Sequence, residues 1–166
     1  CREVMDFLRE LAPEATAQSW DNVGLLVGRE DKEVLKVMTA LDATQSVVDQ
    51  ATLWGADLLV THHPMIFSSI KRVVWEDLVG QKVIKMIRAD LSYFAMHTNY
   101  DVLGMAEESA RRLFLKDCQP LCVTSEPEGF GRVGDLPERM SLGEFADMVK
   151  EAFGLGDIRV YGPVEQ

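Results

Sequence analysis

Three apolar runs divide the first part of the chain: "LKVMTALD" (Leu35 to Asp42), "DLLVT" (Asp57 to Thr61) and "LSYFAM" (Leu91 to Met96). Such short runs are the mark of strands buried on both faces, and strands that alternate with helix-length segments build a parallel sheet through crossover connections. "TQSVVDQATLWG" (Thr44 to Gly55) supplies one crossover helix, with Thr44 as its N-cap and Gly55 just past its last turn. A second helix is expected within Val74 to Ile87, where Leu78, Val83, Ile84 and Ile87 can supply a buried stripe. The fold class that follows is α/β, with a mixed, largely parallel sheet flanked by helices.

The flanking segments fit the same plan. Val4, Met5, Leu8 and Leu11 recur at helical spacing before Pro13 closes a first helix, and "LLVG" (Leu25 to Gly28) reads as a short strand. Further on, "MAEESARRLFL" (Met105 to Leu115) reads as a helix, and "PLCVT" and "GFGRVG" as strands around a turn at Glu126 to Glu128. "SLGE" (Ser141 to Glu144) is a capping box that opens a helix carrying Phe145, Met148, Val149 and Phe153. "DIRVYG" reads as a closing strand. At 166 residues, with neither a repeat nor a linker, the expectation is a single α/β domain over 1–166 that buries roughly two thirds of its unfolded surface. Because the chain opens on Cys1 inside an amphipathic pattern and stops just after a strand-like segment, it is also expected to lack the C-terminal half of a longer parent.

Charge and composition narrow the partners. With 17 Lys and Arg against 27 Asp and Glu, the net charge of −10 argues against nucleic acid, whose backbone is bound by neutralising phosphates. No apolar run approaches the roughly 20 residues that span a bilayer, and no signal peptide opens the sequence, so no membrane partner is expected and the location expected is cytoplasmic. The cysteines, Cys1, Cys118 and Cys122, are odd in number and lack zinc-ribbon or redox spacing, and read as reduced, mostly buried thiols.

The chemistry gathers at strand ends. All 3 histidines fall in two places, His62 and His63 in "THHP" and His97 in "HTNYD", each just beyond a predicted buried strand. In open α/β sheets that edge is where ligands bind. Asp42 ends the preceding strand, and Asp101 follows His97 on the next turn of chain. Imidazole with carboxylate suits Zn, Fe, Mn, Ni or Co, and no nearby thiolate favours a closed structural zinc site. On an extended backbone adjacent side chains point apart, so His62 and His63 would serve two neighbouring ions, with Asp101 reaching one or bridging both. Two ions roughly 3.5–4 Å apart would polarise a phosphoryl or amide oxygen and hold a hydroxide nucleophile.

Each residue also has a structural reading. A single histidine is often only a hydrogen-bonded structural residue, and Asp42 and Asp101 could cap the helices that follow them. In "SWDNVGLLVG", Asp21, Asn22 and Gly24 are read as a structural turn. "EGFGRVGDL" imitates a glycine-rich phosphate loop, but it has no P-loop lysine and opens no helix.

"SWDNVGLLVG", "LDAT", "GADLLVTHHPMIF", "AMHTNYD" and "GFGRVGDLPERMSLGEFADMVKEAFGL" resemble, in order and spacing, the NIF-three-like family, also called GTP cyclohydrolase I type 2 homologues. The resemblance covers essentially the whole chain. It implies an α/β fold assembled into a homohexameric ring around a dinuclear metal centre, with His62, His63 and Asp101 at family ligand positions and His97 ligating or supporting a ligand. Two departures stand out. Tyr100 replaces an aliphatic residue of the motif, and no His-x-x-x-Glu pair of the family's second half occurs, since no histidine follows His97. The implied function is a dinuclear-metal-dependent hydrolase of a phosphate- or nucleotide-containing small molecule, although no guanine-reading motif is visible. A non-catalytic metal-binding oligomeric scaffold or regulatory protein is the alternative.

Overall fold

A computed structural model describes residues 1–125 and 127–165, with Ser125 through its backbone alone. The chain divides into two compact units, Cys1–Asp101 and Val102–Gln166.

The first unit is built on a four-stranded sheet of β1 (Gly24–Val27), β2 (Val37–Asp42), β3 (Leu58–His63) and β4 (Ser92–Ala95), in the spatial order β1-β4-β3-β2. The strands β2, β3 and β4 are mutually parallel, and β1 runs antiparallel to β4. The crossovers are α2 (Gln45–Trp54) and α3 (Leu78–Arg88), while α1 (Arg2–Leu11) precedes the sheet. The period of two explains why both central strands read as unbroken apolar runs. Leu59, Tyr93 and Ala95 pack with Val48 and Ala51 of α2 and with Val83 and Met86 of α3. Leu58, Val60 and Phe94, on the alternate positions, pack with Met5 of α1 and with Ala12. Covered on both faces, these strands tolerate no polar alternation.

Local signals set the helix limits. The Thr44 side chain accepts the Val47 N–H at 3.2 Å, and Gly55 closes α2 in the left-handed region at φ 70°. The Asp57 carboxylate accepts the N–H groups of Leu35 and Lys36, both at 2.8 Å, and so fixes the segment that leads into β2. The phase of α3 differs from the expected stripe. Gly80, Val83 and Met86 face inward, whereas Leu78 and Ile87 are exposed. The cause is a close approach: a Cβ on Gly80 would lie 2.2 Å from the Val74 carbonyl oxygen, so only glycine lets the helix rest there, and that contact sets its rotation.

The chain next forms a single turn, α4 (Thr98–Tyr100), and a π-helical turn over Asp101–Met105. The second unit holds α5 (Ala106–Arg112), the antiparallel pair β5 (Lys116–Ser125) and β6 (Glu128–Asp135), and α6 (Leu142–Phe153). Arg132 lies almost buried, bonded to Glu107 and to the carbonyls of Gly129, Gly131 and Val102. The capping box at Ser141 and Glu144 forms as expected. The expected turn at Glu126 to Glu128 lies partly outside the described residues. "DIRVYG" is not a strand, because no described segment offers it a ladder. All three cysteines are free thiols, but they are less buried than expected. Cys1 and Cys118 are half-buried, and Cys122 is exposed on the two-stranded sheet. Among the described residues no helix is long and apolar enough to cross a membrane.

Candidate metal centre

Because β2, β3 and β4 run parallel, their carboxyl ends share one edge, and that edge carries the polar residues. Asp42 ends β2, His62 and His63 end β3, and His97 lies just beyond β4. One ring nitrogen from each histidine falls within 4.8 Å of the others. The ring centroids are 4.9 Å apart for His62 and His63, 5.2 Å for His62 and His97, and 5.7 Å for His63 and His97.

The convergence of His62 and His63 departs from the simple expectation that neighbours on a strand point apart. The end of the strand is tied down by hydrogen bonds. The His63 carbonyl lies 2.9 Å from Thr61 Oγ1 and 3.1 Å from the Tyr93 hydroxyl, which also accepts the Met65 N–H at 2.8 Å. Tyr93 stands fully buried on β4, and burial raises its phenol above the ordinary value, so it remains a neutral anchor for this exit from β3.

Two of the imidazoles are oriented by carboxylates. Asp42 and His63 are register partners across β2 and β3, and Asp42 Oδ1 lies 2.7 Å from His63 Nδ1. Asp42 does not cap α2, since Thr44 takes that role. Asp21 Oδ1 lies 3.0 Å from His97 Nδ1, and the Asp21 carboxylate accepts the backbone N–H of Thr98 at 3.1 Å. The Asp21 side chain is wholly buried. Burial pushes its carboxyl up, but hydrogen bonds from Thr98, His97 and backbone N–H groups outweigh this and hold it below the ordinary carboxylate range. The turn that carries His97 is pinned too. Its N–H donates to Asn99 Oδ1 at 2.9 Å, and Asn99 Nδ2 donates to the Ala12 carbonyl at 2.8 Å.

His62 is held differently. Its Nε2 lies 3.4 Å from Asp101 Oδ1, whereas its Nδ1 is buried without a hydrogen-bond partner. Burial lowers its pKa, Asp101 opposes that shift, and His63 and His97 reinforce it. A neutral imidazole follows, which keeps a lone pair on one ring nitrogen for a ligand. With Nδ1 of His63 and of His97 engaged by carboxylates, Nε2 is the nitrogen each has left to offer a metal, an arrangement typical of metal-ligating histidines. Three imidazoles and the Asp101 carboxylate are a chemically suitable donor set for a divalent transition metal. All four residues singled out in the sequence, His62, His63, His97 and Asp101, meet at this edge. Asp21 is the one that sequence reasoning gave to a turn. Its carboxylate does bond the Asn22 N–H as a turn residue does, but it also serves His97, 76 positions away.

Fold and site together define an open, largely parallel α/β protein with a histidine cluster at the carboxyl edge of its sheet. The chain belongs to the DUF34/NIF3 family (NGG1p interacting factor 3), whose profile matches residues 1–166. It is 31% identical to the GTP cyclohydrolase 1 type 2 homolog of Clostridium perfringens, over 99% of this chain and 64% of that protein. The corresponding Streptomyces coelicolor protein is 38% identical over 90% of this chain and 54% of its own length. Among solved structures, a hypothetical protein of Staphylococcus aureus superposes with a TM-score of 0.85 at 29% identity, over 99% of this chain and 67% of that one. Reduced HcgD from Methanocaldococcus jannaschii gives a TM-score of 0.79 at 32% identity, over 90% and 58% of the two chains. The chain thus spans less than two thirds of the length of these curated relatives.

Proposed function

We propose that this protein is a dinuclear-metal-dependent hydrolase acting on a phosphate- or nucleotide-containing substrate, with His62, His63, His97 and Asp101 as its metal ligands. The observation that carries this reading is the meeting of three imidazoles within 4.8 Å, two of them oriented by carboxylates. Bound divalent ions, drawn from Zn, Fe, Mn, Ni and Co, would supply Lewis-acid polarisation and a water ionised near neutral pH. The chain's own residues prepare the site. Burial keeps His62 neutral, Asp42 and Asp21 fix the tautomers of His63 and His97, and Asp101 brings anionic charge to offset that of the cations.

Three imidazoles and one carboxylate are fewer donors than two ions take, so the proposal includes further ligands from outside residues 1–166 or from a neighbouring protomer. A cytoplasmic homohexamer is the assembly that the family resemblance implies, and it forms part of the same proposal. The test is metal analysis of the purified full chain, followed by hydrolysis assays on GTP and on a chromogenic phosphodiester. His63→Ala is expected to lose both bound metal and turnover. Unchanged turnover in that variant would reject the mechanism, and metal-dependent assembly without turnover on any substrate would favour the non-catalytic scaffold.

A further inference from the structure

Two large aromatic rings stand in the open beside the histidine cluster. Trp20 is 58% exposed and Phe67 is 53% exposed, although rings of this size usually find burial. Their ring centroids are 5.9 Å apart, and each ring meets His97 edge-on, Trp20 at 6.3 Å and 75°, Phe67 at 6.5 Å and 80°.

The segments that carry the rings are tied together. Trp20 precedes Asp21, whose buried carboxylate bonds His97 and Thr98. Asn22 Nδ2 donates to the Ile66 carbonyl at 2.5 Å, which ties the Trp20 segment to the Phe67 segment. On the other side of Trp20, the Gln18 N–H donates to Thr98 Oγ1 at 2.9 Å. Such cross-linking fixes the backbone that carries the two rings before any ligand arrives, and so lowers the ordering cost of binding.

We propose that Trp20 and Phe67 form a stacking platform for a planar heteroaromatic ring, such as a nucleobase, next to the His62, His63 and His97 cluster. Their own separation of 5.9 Å is too small for a guest ring between them, which takes two contact spacings of about 3.5 Å each. The two rings are tilted 51° to each other, so a flat guest stacks on the open face of one and meets the other at an angle. Stacking on exposed aromatic faces favours flat rings and tolerates differences among bases. The platform deepens the hydrolase reading by naming the residues that would hold the ring of a nucleotide substrate, and it rests on that reading only for the chemistry, since ring binding needs no metal.

The experiment is equilibrium dialysis of GMP, AMP and ribose 5-phosphate against the full chain, with chelator and then with added Mn. Both nucleotides are expected to bind at least about tenfold more tightly than ribose 5-phosphate in either condition. Trp20→Ala and Phe67→Ala should each remove about tenfold of that preference, and Trp20→Phe, which keeps a ring, should retain most of it. The inference is overturned if the ribose phosphate binds as well as the nucleotides, or if Trp20→Ala, shown folded by circular dichroism, keeps the preference. Metal content measured on the same samples separates the two ideas. Ring-dependent binding to a chain that takes up no metal would sink the hydrolase reading alone, and metal uptake with no base preference would sink the platform alone.

Discussion

Asp21 shows how much one carboxylate can settle. It is wholly buried and ionised, and it reaches His97 Nδ1 at 3.0 Å. Removing the negative charge while keeping the shape should free the His97 ring to take either tautomer. Asp21→Asn is therefore expected to weaken divalent-metal binding about 10- to 100-fold, the usual cost of losing a carboxylate behind a ligating histidine. Nitrogen NMR of the metal-free chain supplies an independent readout, because His97 should pass from one Nδ1-protonated form to a mixture. An unchanged His97 spectrum would show that Asp21 only holds the turn. In the sequence, "SWDNVG" carries turn chemistry that is really present, and the long-range role leaves no local trace, because its partner is 76 positions away. The two exposed rings are equally silent in the sequence, since nothing in "QSW" or "MIF" says that they meet.

At the scale of elements, β2 depends on a side chain from the neighbouring strand's approach. The Asp57 carboxylate takes the N–H groups of Leu35 and Lys36, and these two bonds hold its pKa below the ordinary value of 3.8. A depressed folded-state pKa means that the unfolded chain binds the proton more readily. The stabilisation is then fully present above the unfolded value and is lost as pH falls through the folded one. Asp57→Asn should accordingly lower stability at neutral pH and flatten the acid limb of the stability profile below about pH 4. Urea unfolding midpoints of both proteins at a series of pH values measure this, and parallel profiles would rule the role out. Caps were legible here because they act over three or four residues, as at Thr44, Gly55 and Ser141. The phase of α3 was not, because Gly80 is read locally as a weak helix former while its importance lies in the approach of the Val74 backbone.

At the scale of the whole molecule, the carboxyl edge of the sheet collects groups from distant parts of the chain, and any ion that binds there ties them together. A ligand bound to the native state alone adds about 2.7 kcal/mol at about 100 times its dissociation constant. Added Zn or Mn is therefore expected to raise the unfolding midpoint by roughly 5–10 °C for a chain of this size. Chelator should reverse the shift, and His62→Ala should abolish it. A midpoint that ignores metal in scanning calorimetry would contradict a site among these residues.

The order of strands and helices and the strand ends that bear His62, His63, His97 and Asp101 were determined by the sequence itself. Periodicity, caps and apolar runs act between near neighbours, so a one-dimensional pattern records them. Parallel pairing then follows from alternation, and it is why ligand-type residues at three strand ends could be expected on one edge. Only the tertiary structure decided which carboxylate serves which imidazole, that the rings of two adjacent histidines converge, and where Trp20 and Phe67 stand. Those outcomes depend on contacts between segments tens of residues apart, such as Asp42 with His63, Asp21 with His97 and Asn22 with Ile66. Their energies arise only once the backbone has brought the partners within hydrogen-bond or van der Waals range.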